Sequence, residues 1–408
     1  MKEWRKVKLG DCCEITSSKR CLASVRTKEG IPFFCSKEII LLDKGENVEP
    51  TDFIPEEIYE SVRDKFGVPK AGDLLLTTRG TNGIPYIYKE SDKFYFADGN
   101  LSWFKNFKRN ISNKYLYYWF KSAFGKHEVD AIAKGTAQKA VPIEGLRRIE
   151  LKLPPLSTQH RIATTLSRYD SLIDNYQKQI KLLEEAAQRL YKEWFINLRF
   201  PGHENTKIVD GVPEGWEKKK ISDVCDTIGG GTPSTKVASY YEGGTIKWVT
   251  PTDITRNKSL CLLDTDKKIT EEGLKHSSAK MLPAGTILMT SRASVGYFGI
   301  ADFEVCTNQG FISCIPSSKY YQMYLLRNLM NRIEEIRIKA GGSTYLEISK
   351  SVFRNLDIIC PSDKILQKFQ ARANAYYMQE KNLSIQLRLL TESRDRLLPK
   401  LLSGEIEV

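Results

Sequence analysis

Between residues 157 and 197 apolar or aromatic side chains fall at Ile162, Leu166, Tyr169, Ile173, Tyr176, Ile180, Leu183, Ala187, Leu190 and Trp194. The steps alternate four and three without interruption, the a/d seam of a coiled coil. No Pro or Gly interrupts the stretch, so the pattern predicts one helix of roughly 60 Å at about 1.5 Å per residue. The same phase returns 207 residues later at Phe369, Ala373, Tyr376, Glu380, Leu383, Leu387, Leu390, Arg394, Leu397 and Leu401, where eight of ten positions remain non-polar. That second helix is predicted from about 363 to the turn before Pro399. Neither helix is apolar all round, so each is expected to cover the other's seam. An antiparallel, fully overlapped register sets Ala187 against Tyr376, Ala373 against Leu190, and Arg394 on the Tyr169 ring. A parallel register leaves Glu380 against Ile173 with no partner for its charge. The antiparallel arrangement is therefore preferred.

The segments ahead of the helices repeat as well. Trp4–Asp11 matches Trp216–Asp223 at an offset of 212, and Ala71–Arg79 matches Ala284–Arg292 at 213, with Gly83 and Gly296 keeping that offset. Farther on, Gly135–Gln138 aligns with Gly342–Tyr345, and Leu146-Arg147 with Phe353-Arg354, at 207. Asp73–Thr77 and Thr286–Thr290 are short apolar runs opened by Ala-Gly turns and read as buried strands. Ser112-Asn113 and Ser317-Ser318 supply N-caps before helical segments near 114–133 and 319–339, which close on Gly135 and Gly341-Gly342. Short strands then run to Pro154-Pro155 and Pro361. The expected fold is α+β: two mixed α/β domains, a pseudo-twofold tandem repeat, separated by two long helices in an antiparallel coiled coil.

Composition narrows the class. A chain of 408 residues with 41% hydrophobic side chains accommodates two domains with real cores. No apolar run approaches the ~20 residues of a membrane span, and the N-terminus lacks the apolar stretch of a signal peptide. A cytoplasmic location is expected. None of the nine cysteines forms a C-x-x-C pair, and with four histidines no zinc site of familiar spacing can be drawn. The cysteines are expected to act as small core residues in a reducing compartment. A net charge of +12 favours a polyanionic partner, although a merely basic soluble protein has the same composition.

The run Leu151–Ala163, with Pro154-Pro155-Leu156-Ser-Thr-Gln159, resembles the junction of a recognition domain and the central helix in type I restriction–modification specificity subunits. Leu190–Gly202 is similar to the family's exit from that helix. Ile228–Ser234 with Trp248–Asp253 looks like the opening of many of its recognition domains, and Leu397–Ile406 like its C-terminus. The resemblance implies target-recognition domains at 1–155 and 201–361, with spacer helices at 156–200 and 362–408. It implies that each domain reads one half of a split, asymmetric double-stranded DNA target, while the helices set the gap and dock two methylation subunits. Motor-nuclease subunits join for cleavage. S-adenosylmethionine, ATP and magnesium are used by those partners, and no cofactor, metal or catalytic residue is implied for this chain.

The residues themselves agree on the absence of familiar catalytic motifs. Pro154-Pro155 lies between leucines and lacks the Asn/Asp and aromatic residue of an adenine methylase. Gly229–Thr232 lacks the Gly-Lys-Ser/Thr of a phosphate loop and reads as a tight, backbone-exposed turn. DNA contacts are sought instead in polar loops, since Arg or Lys pairs with guanine and Asn or Gln with adenine. The first candidate loop carries Arg79, Thr81 and Asn82, matched by Arg292 and Ser294. Retention of both arginines also suits a structural role tying each loop to its core. The second carries Lys134, Thr136, Gln138 and Lys139, matched by Lys339, Ser343, Thr344 and Tyr345; it suits phosphate or base contact, or a helix cap with a solvated lysine. Thr252, Arg256 and Asn257 form a weaker cluster whose counterpart is expected near Cys35, Ser36 and Lys37. Two rival functions remain: a stand-alone methylase or nuclease on this scaffold, and an assembly scaffold or RNA binder.

Overall fold

The computed structural model describes residues 4–135, 139–342 and 345–408. The chain divides into two compact units, Met1–Asp174 with Leu390–Val408, and Asn175–Leu389. The sheets of the two follow one plan. In the first unit Glu14–Thr16, Leu101–Lys105, Leu74–Thr77 and Pro85–Ile87 lie in that order, all antiparallel. In the second the order is Cys225–Gly229, Phe311–Pro316, Thr286–Thr290 and Phe298–Ala301, with Cys261–Leu262 added in parallel at the edge. A smaller sheet places Ile31–Phe34 between antiparallel Phe53–Ile54 and parallel Tyr95–Phe96. Its equivalent places Ile246–Val249 between Lys267–Ile269 and Cys306–Thr307 in the same senses. A third pairing, Arg5–Lys8 with Glu150–Leu153, recurs as Glu217–Lys220 with Asp357–Cys360 in the same register. The repeat in the sequence is thus a repeat in topology.

The helical segments expected near 114–133 and 319–339 are each broken in two. Asn113–Lys121 ends at Ser122, which caps Ala123–Ile132 by accepting the Gly125 N–H at 3.1 Å. Gly125 sits against the Trp119 carbonyl, where a Cβ has no room. Gln322–Asn331 and Ile333–Ile338 break at Arg332. Tyr115 and Tyr324, on the leading helices, each donate to the carbonyl of the strand entering the long helix, at Lys152 and Ile359.

Leu156–Tyr191 is one α-helix, followed by a wider turn over Lys192–Ile196. The buried Gln159 locks its start: its amide donates to the Asn110 and Pro154 carbonyls and its Oε1 accepts the Ser112 N–H, all at 2.9 Å. The second long helix spans Asp363–Ser403 and continues through Pro399 rather than stopping before it. Leu401 and Leu402 are buried in the first unit's core, and that burial outweighs the one helical hydrogen bond a proline removes.

The helices pair antiparallel within each unit. In the first, Ile162, Ala163 and Leu166 share a core with Leu401 and Leu402, while Arg394 meets Asp170 at 2.8 Å. Arg394 therefore pairs with a carboxylate one residue beyond Tyr169 instead of lying on the Tyr169 ring; Asp170 also accepts from Tyr118 at 2.6 Å. In the second unit Phe369 packs on Tyr191 and Trp194, with ring centroids 6.3 and 5.8 Å apart. Along the seam Ile162, Leu166, Ile173, Ile180, Ala187 and Phe369 are buried. Tyr169, Tyr176, Leu183, Leu190, Tyr376, Leu383, Leu387, Leu390 and Leu397 are half-buried. The helix exit Trp194, Phe195 and Phe200 is buried, with Trp216 against Phe200 at 4.9 Å. Eight of the nine cysteines are buried and Cys35 is half-buried. No helix among the described residues is long and apolar enough to cross a membrane.

The second unit gathers three ionisable groups, Glu380 and Arg327 buried and Glu184 half-buried. Glu380 accepts the Leu260 N–H and lies beside Glu184 on the facing helix and Arg327 on Gln322–Asn331. Burial raises the pKa of both carboxyls above the usual glutamate range; the Glu184 charge raises that of Glu380 further, while Arg327 and a hydrogen bond from Glu380 pull that of Glu184 back, and burial lowers that of Arg327. The folded state therefore holds a proton that the unfolded chain releases as pH passes the ordinary glutamate range. The stability it contributes is complete at lower pH and is lost as pH rises through the raised pKa. The stability of the second unit against denaturation should fall from about pH 5 to about pH 8, by on the order of 1 kcal/mol per pH unit within the window. Glu184→Gln should flatten that slope; an unchanged slope in urea midpoints would contradict the assignment.

Candidate nucleic-acid interface

The two candidate loops of each repeat, far apart in sequence, meet. A buried strand ends at Thr77-Thr78, and the chain turns through Arg79–Gly83 back to the sheet. The Thr77 hydroxyl accepts the Ile84 N–H at 2.9 Å, and Gly83 N donates to the Thr77 carbonyl at 2.8 Å. In the other repeat Thr290 accepts from Tyr297 N at 2.9 Å and Gly296 N donates to Thr290 at 2.8 Å. Gly83 and Gly296 have φ of +80° and +91°, the left-handed region that side chains with a Cβ disfavour. That is the physical content of the repeated glycine.

The second loop is pinned to the first by backbone. Val141 N donates to the Thr78 carbonyl at 2.9 Å, and Ala140 and Lys134 exchange two bonds of 2.8 Å. The equivalent contacts are Ile348 N to Ser291 at 3.0 Å, and Glu347 with Gly341 at 2.8 and 3.0 Å. Arg79 bridges Ala140 as Arg292 bridges Glu347. Even the linking carbonyl is shared: that of Lys139 accepts from the Asn82 side chain at 3.4 Å, and that of Leu346 from Ala293 N at 2.8 Å. Tying both loops down through the main chain leaves their side chains free to vary.

Arg79, Thr81, Lys134 and Lys139 are exposed on the first cluster and Asn82 is half-buried; Thr136 and Gln138 lie outside the described residues. On the second cluster Arg292, Ser294, Lys339 and Tyr345 are exposed, and Ser343 and Thr344 lie outside the described residues. Ser36 joins the first cluster, its hydroxyl 3.1 Å from both the Arg79 and the Asn100 carbonyls.

The weaker cluster is only partly gathered here. Cys35 and Thr250 are equivalent N-caps, closed by Glu38 at 2.9 Å and Asp253 at 2.7 Å. Pro251 lies against Gly310, whose carbonyl accepts from Ser291. Thr252, Arg256 and Asn257 instead line a cavity of about 350 Å³ with Ile180, Ser384 and Leu387 of the long helices. Asn257 is also spent on the Cys261 carbonyl at 2.9 Å.

Gly230, half-buried, and Gly231, buried, form a close backbone crossing rather than an exposed turn. A Cβ on Gly230 would strike the Thr307 and Asn308 carbonyls, and one on Gly231 the Ser278 side chain. The backbone has no freedom there to wrap a phosphate. Sequence reasoning passed over Glu347, which forms an ion pair with Arg292 at 3.6 Å. The signal was present, since the offset of 207 sets Glu347 opposite Ala140.

The chain matches a family model described as the type I restriction modification DNA specificity domain, over residues 1–185 and 213–391. It is 28% identical to the type I restriction enzyme MjaIX specificity subunit of Methanocaldococcus jannaschii, covering 100% of this chain and 94% of that protein. It is 23% identical to the HindI specificity subunit of Haemophilus influenzae over 100% of both chains. Its fold is similar to the crystal structure of a type I restriction–modification S subunit from M. genitalium, with a TM-score of 0.60, 16% identity, and 98% and 96% coverage.

The latching hydroxyls give a direct test. Thr77→Val or Thr290→Val keeps the side chain's shape and leaves a loop N–H without its acceptor. Each should lower stability by about 1–3 kcal/mol in chemical denaturation; no loss would show that the hydroxyls do not hold the loops.

Proposed function

Since the chain belongs to the type I restriction–modification DNA specificity family, as a non-catalytic specificity subunit, we propose that each unit reads one half of a bipartite, asymmetric duplex target through its paired loops. The observation that carries this reading is the same main-chain latch in both repeats, presenting unlike side chains: Lys139 and Ala140 in one, Leu346 and Glu347 in the other. A binder of uniform polyanion needs no such divergence on a shared frame. The exposed Arg79 and Lys134 suit base edges and phosphates in the first half-site, and Ser294, Lys339 and Tyr345 suit the second. Thr136, Gln138, Ser343 and Thr344 belong to the same proposed reading loops. The net charge of +12 supplies sequence-independent attraction.

The recognition domains are assigned to 1–155 and 201–361, and the helices to the role of spacer between half-sites. Exposed Leu182 and Leu389, off the seam, suit docking of methylation subunits. Those subunits would bring S-adenosylmethionine, and motor-nuclease subunits ATP and magnesium; no step of that chemistry falls to residues of this chain.

Selection of binding sites from random duplexes, with the cognate methylation subunits present, should return one split motif. Recovery of only salt-sensitive, sequence-independent binding would overturn the reading, as would methyl transfer to DNA by this chain alone. A second test addresses the spacer. Seven residues inserted between Ile173 and Ile180, with seven between Ser384 and Thr391 on the partner helix, keep the heptad phase and lengthen the pair by about 10 Å. The gap in the motif should widen by about three base pairs with both half-sites unchanged; altered half-sites and a constant gap would refute the spacer role.

A further inference from the structure

Arg79 and Arg292 occupy the same place in the two repeats, on the same latched loop, but their surroundings differ by one residue. The backbone partner of Arg292 is Glu347, whose Oε2 lies 3.6 Å from the Arg292 Nε; both side chains are about half exposed, at 47% and 49%. The backbone partner of Arg79 is Ala140. An arginine reads guanine with two parallel N–H donors, and a carboxylate beside it competes for those donors and for its charge. On the segment leading into Glu347, Tyr345 is 59% exposed and Leu346 49%, and Ile338, which ends the helix before Lys339, is 83% exposed. At an offset of 207 the other repeat has Gln138, Lys139 and Ala131. Large apolar side chains left in water beside a basic loop suit the one apolar feature of a base edge in the major groove, the thymine methyl group.

We propose that Glu347 is a specificity-determining residue: by holding Arg292 it removes the arginine from guanine reading, so the second unit reads thymine through Tyr345 and Leu346 while the first reads guanine through Arg79. This rests on the reading of the paired loops as the DNA interface. Glu347 acts through Arg292 and through the surface it leaves apolar, so its substitution changes which base is preferred and not merely how tightly DNA is held.

The test selects binding sites from random duplexes with the full chain and its cognate methylation subunits, comparing wild type with Glu347→Ala and the reciprocal Ala140→Glu. Glu347→Ala should shift one position of a single half-site toward guanine, and Ala140→Glu should weaken a guanine preference in the other half-site, each by about tenfold or more. In the wild-type target, replacing thymine by deoxyuridine should weaken binding only in the half-site that responds to Glu347→Ala. Tyr345→Ser with Leu346→Ser should abolish that methyl dependence, and unchanged denaturation midpoints would separate it from misfolding. An unaltered motif in Glu347→Ala, a change in both half-sites, or indifference to deoxyuridine would overturn the inference while leaving a bipartite reader intact. Failure of the wild type to select any split motif would overturn the interface reading and this inference together.

Discussion

Each unit completes its core with a segment that a long helix delivers to it. The first needs Leu401 and Leu402, delivered more than two hundred residues after the helix residues Ile162 and Leu166 with which they are buried. The second needs Tyr191, Trp194 and Phe195 from the helix that begins in the first. The antiparallel seam is what delivers both segments. A parallel pairing would strand Glu380 and carry the apolar exits away from the cores that bury them. Gly404 lies under the Trp4 ring and Trp216 stacks on Phe200, so in each repeat the tryptophan that opens it meets the exit of a long helix.

Polar groups set where the helices stop sliding. An apolar heptad seam tolerates a shift by one repeat at modest cost, whereas buried ionisable groups do not. In the first unit Asp170 gathers Arg394 and Tyr118 from two other helices. In the second Glu380, Glu184 and Arg327 share a site that is electrically balanced when one carboxyl keeps its proton. Each set ties the helix pair to the body of its own unit, so the register and the seating of the recognition domain are settled by the same contacts.

Much of the fold was legible because it obeys simple periods. The seam phase, the two buried strands after Ala-Gly, the cap at Ser112 and the glycines at positions 83 and 296 each correspond to a local physical requirement. The errors were local too. Proline signalled an end at 399 because its effect on the helix is local, while the burial of Leu401 and Leu402 is not. The triple glycine reads as an exposed turn until Thr307, Asn308 and Ser278 are seen to crowd it. The two polar loops were recognisable separately by composition, yet nothing in either predicts the Val141–Thr78 and Ile348–Ser291 bonds that join them.

The sequence by itself determined the repeat, the long helices and the family, since these depend on periodicity and residue order, which a single chain displays directly. Tertiary structure alone decided which groups share one surface. It placed Glu347 on Arg292 and Ala140 beside Arg79, sent Arg256 and Asn257 to a cavity beside the helices, and gave Glu380 a second carboxyl for a partner. Such pairings join residues tens to hundreds of positions apart, and local preferences carry no information about contacts that only chain folding brings within a few ångströms.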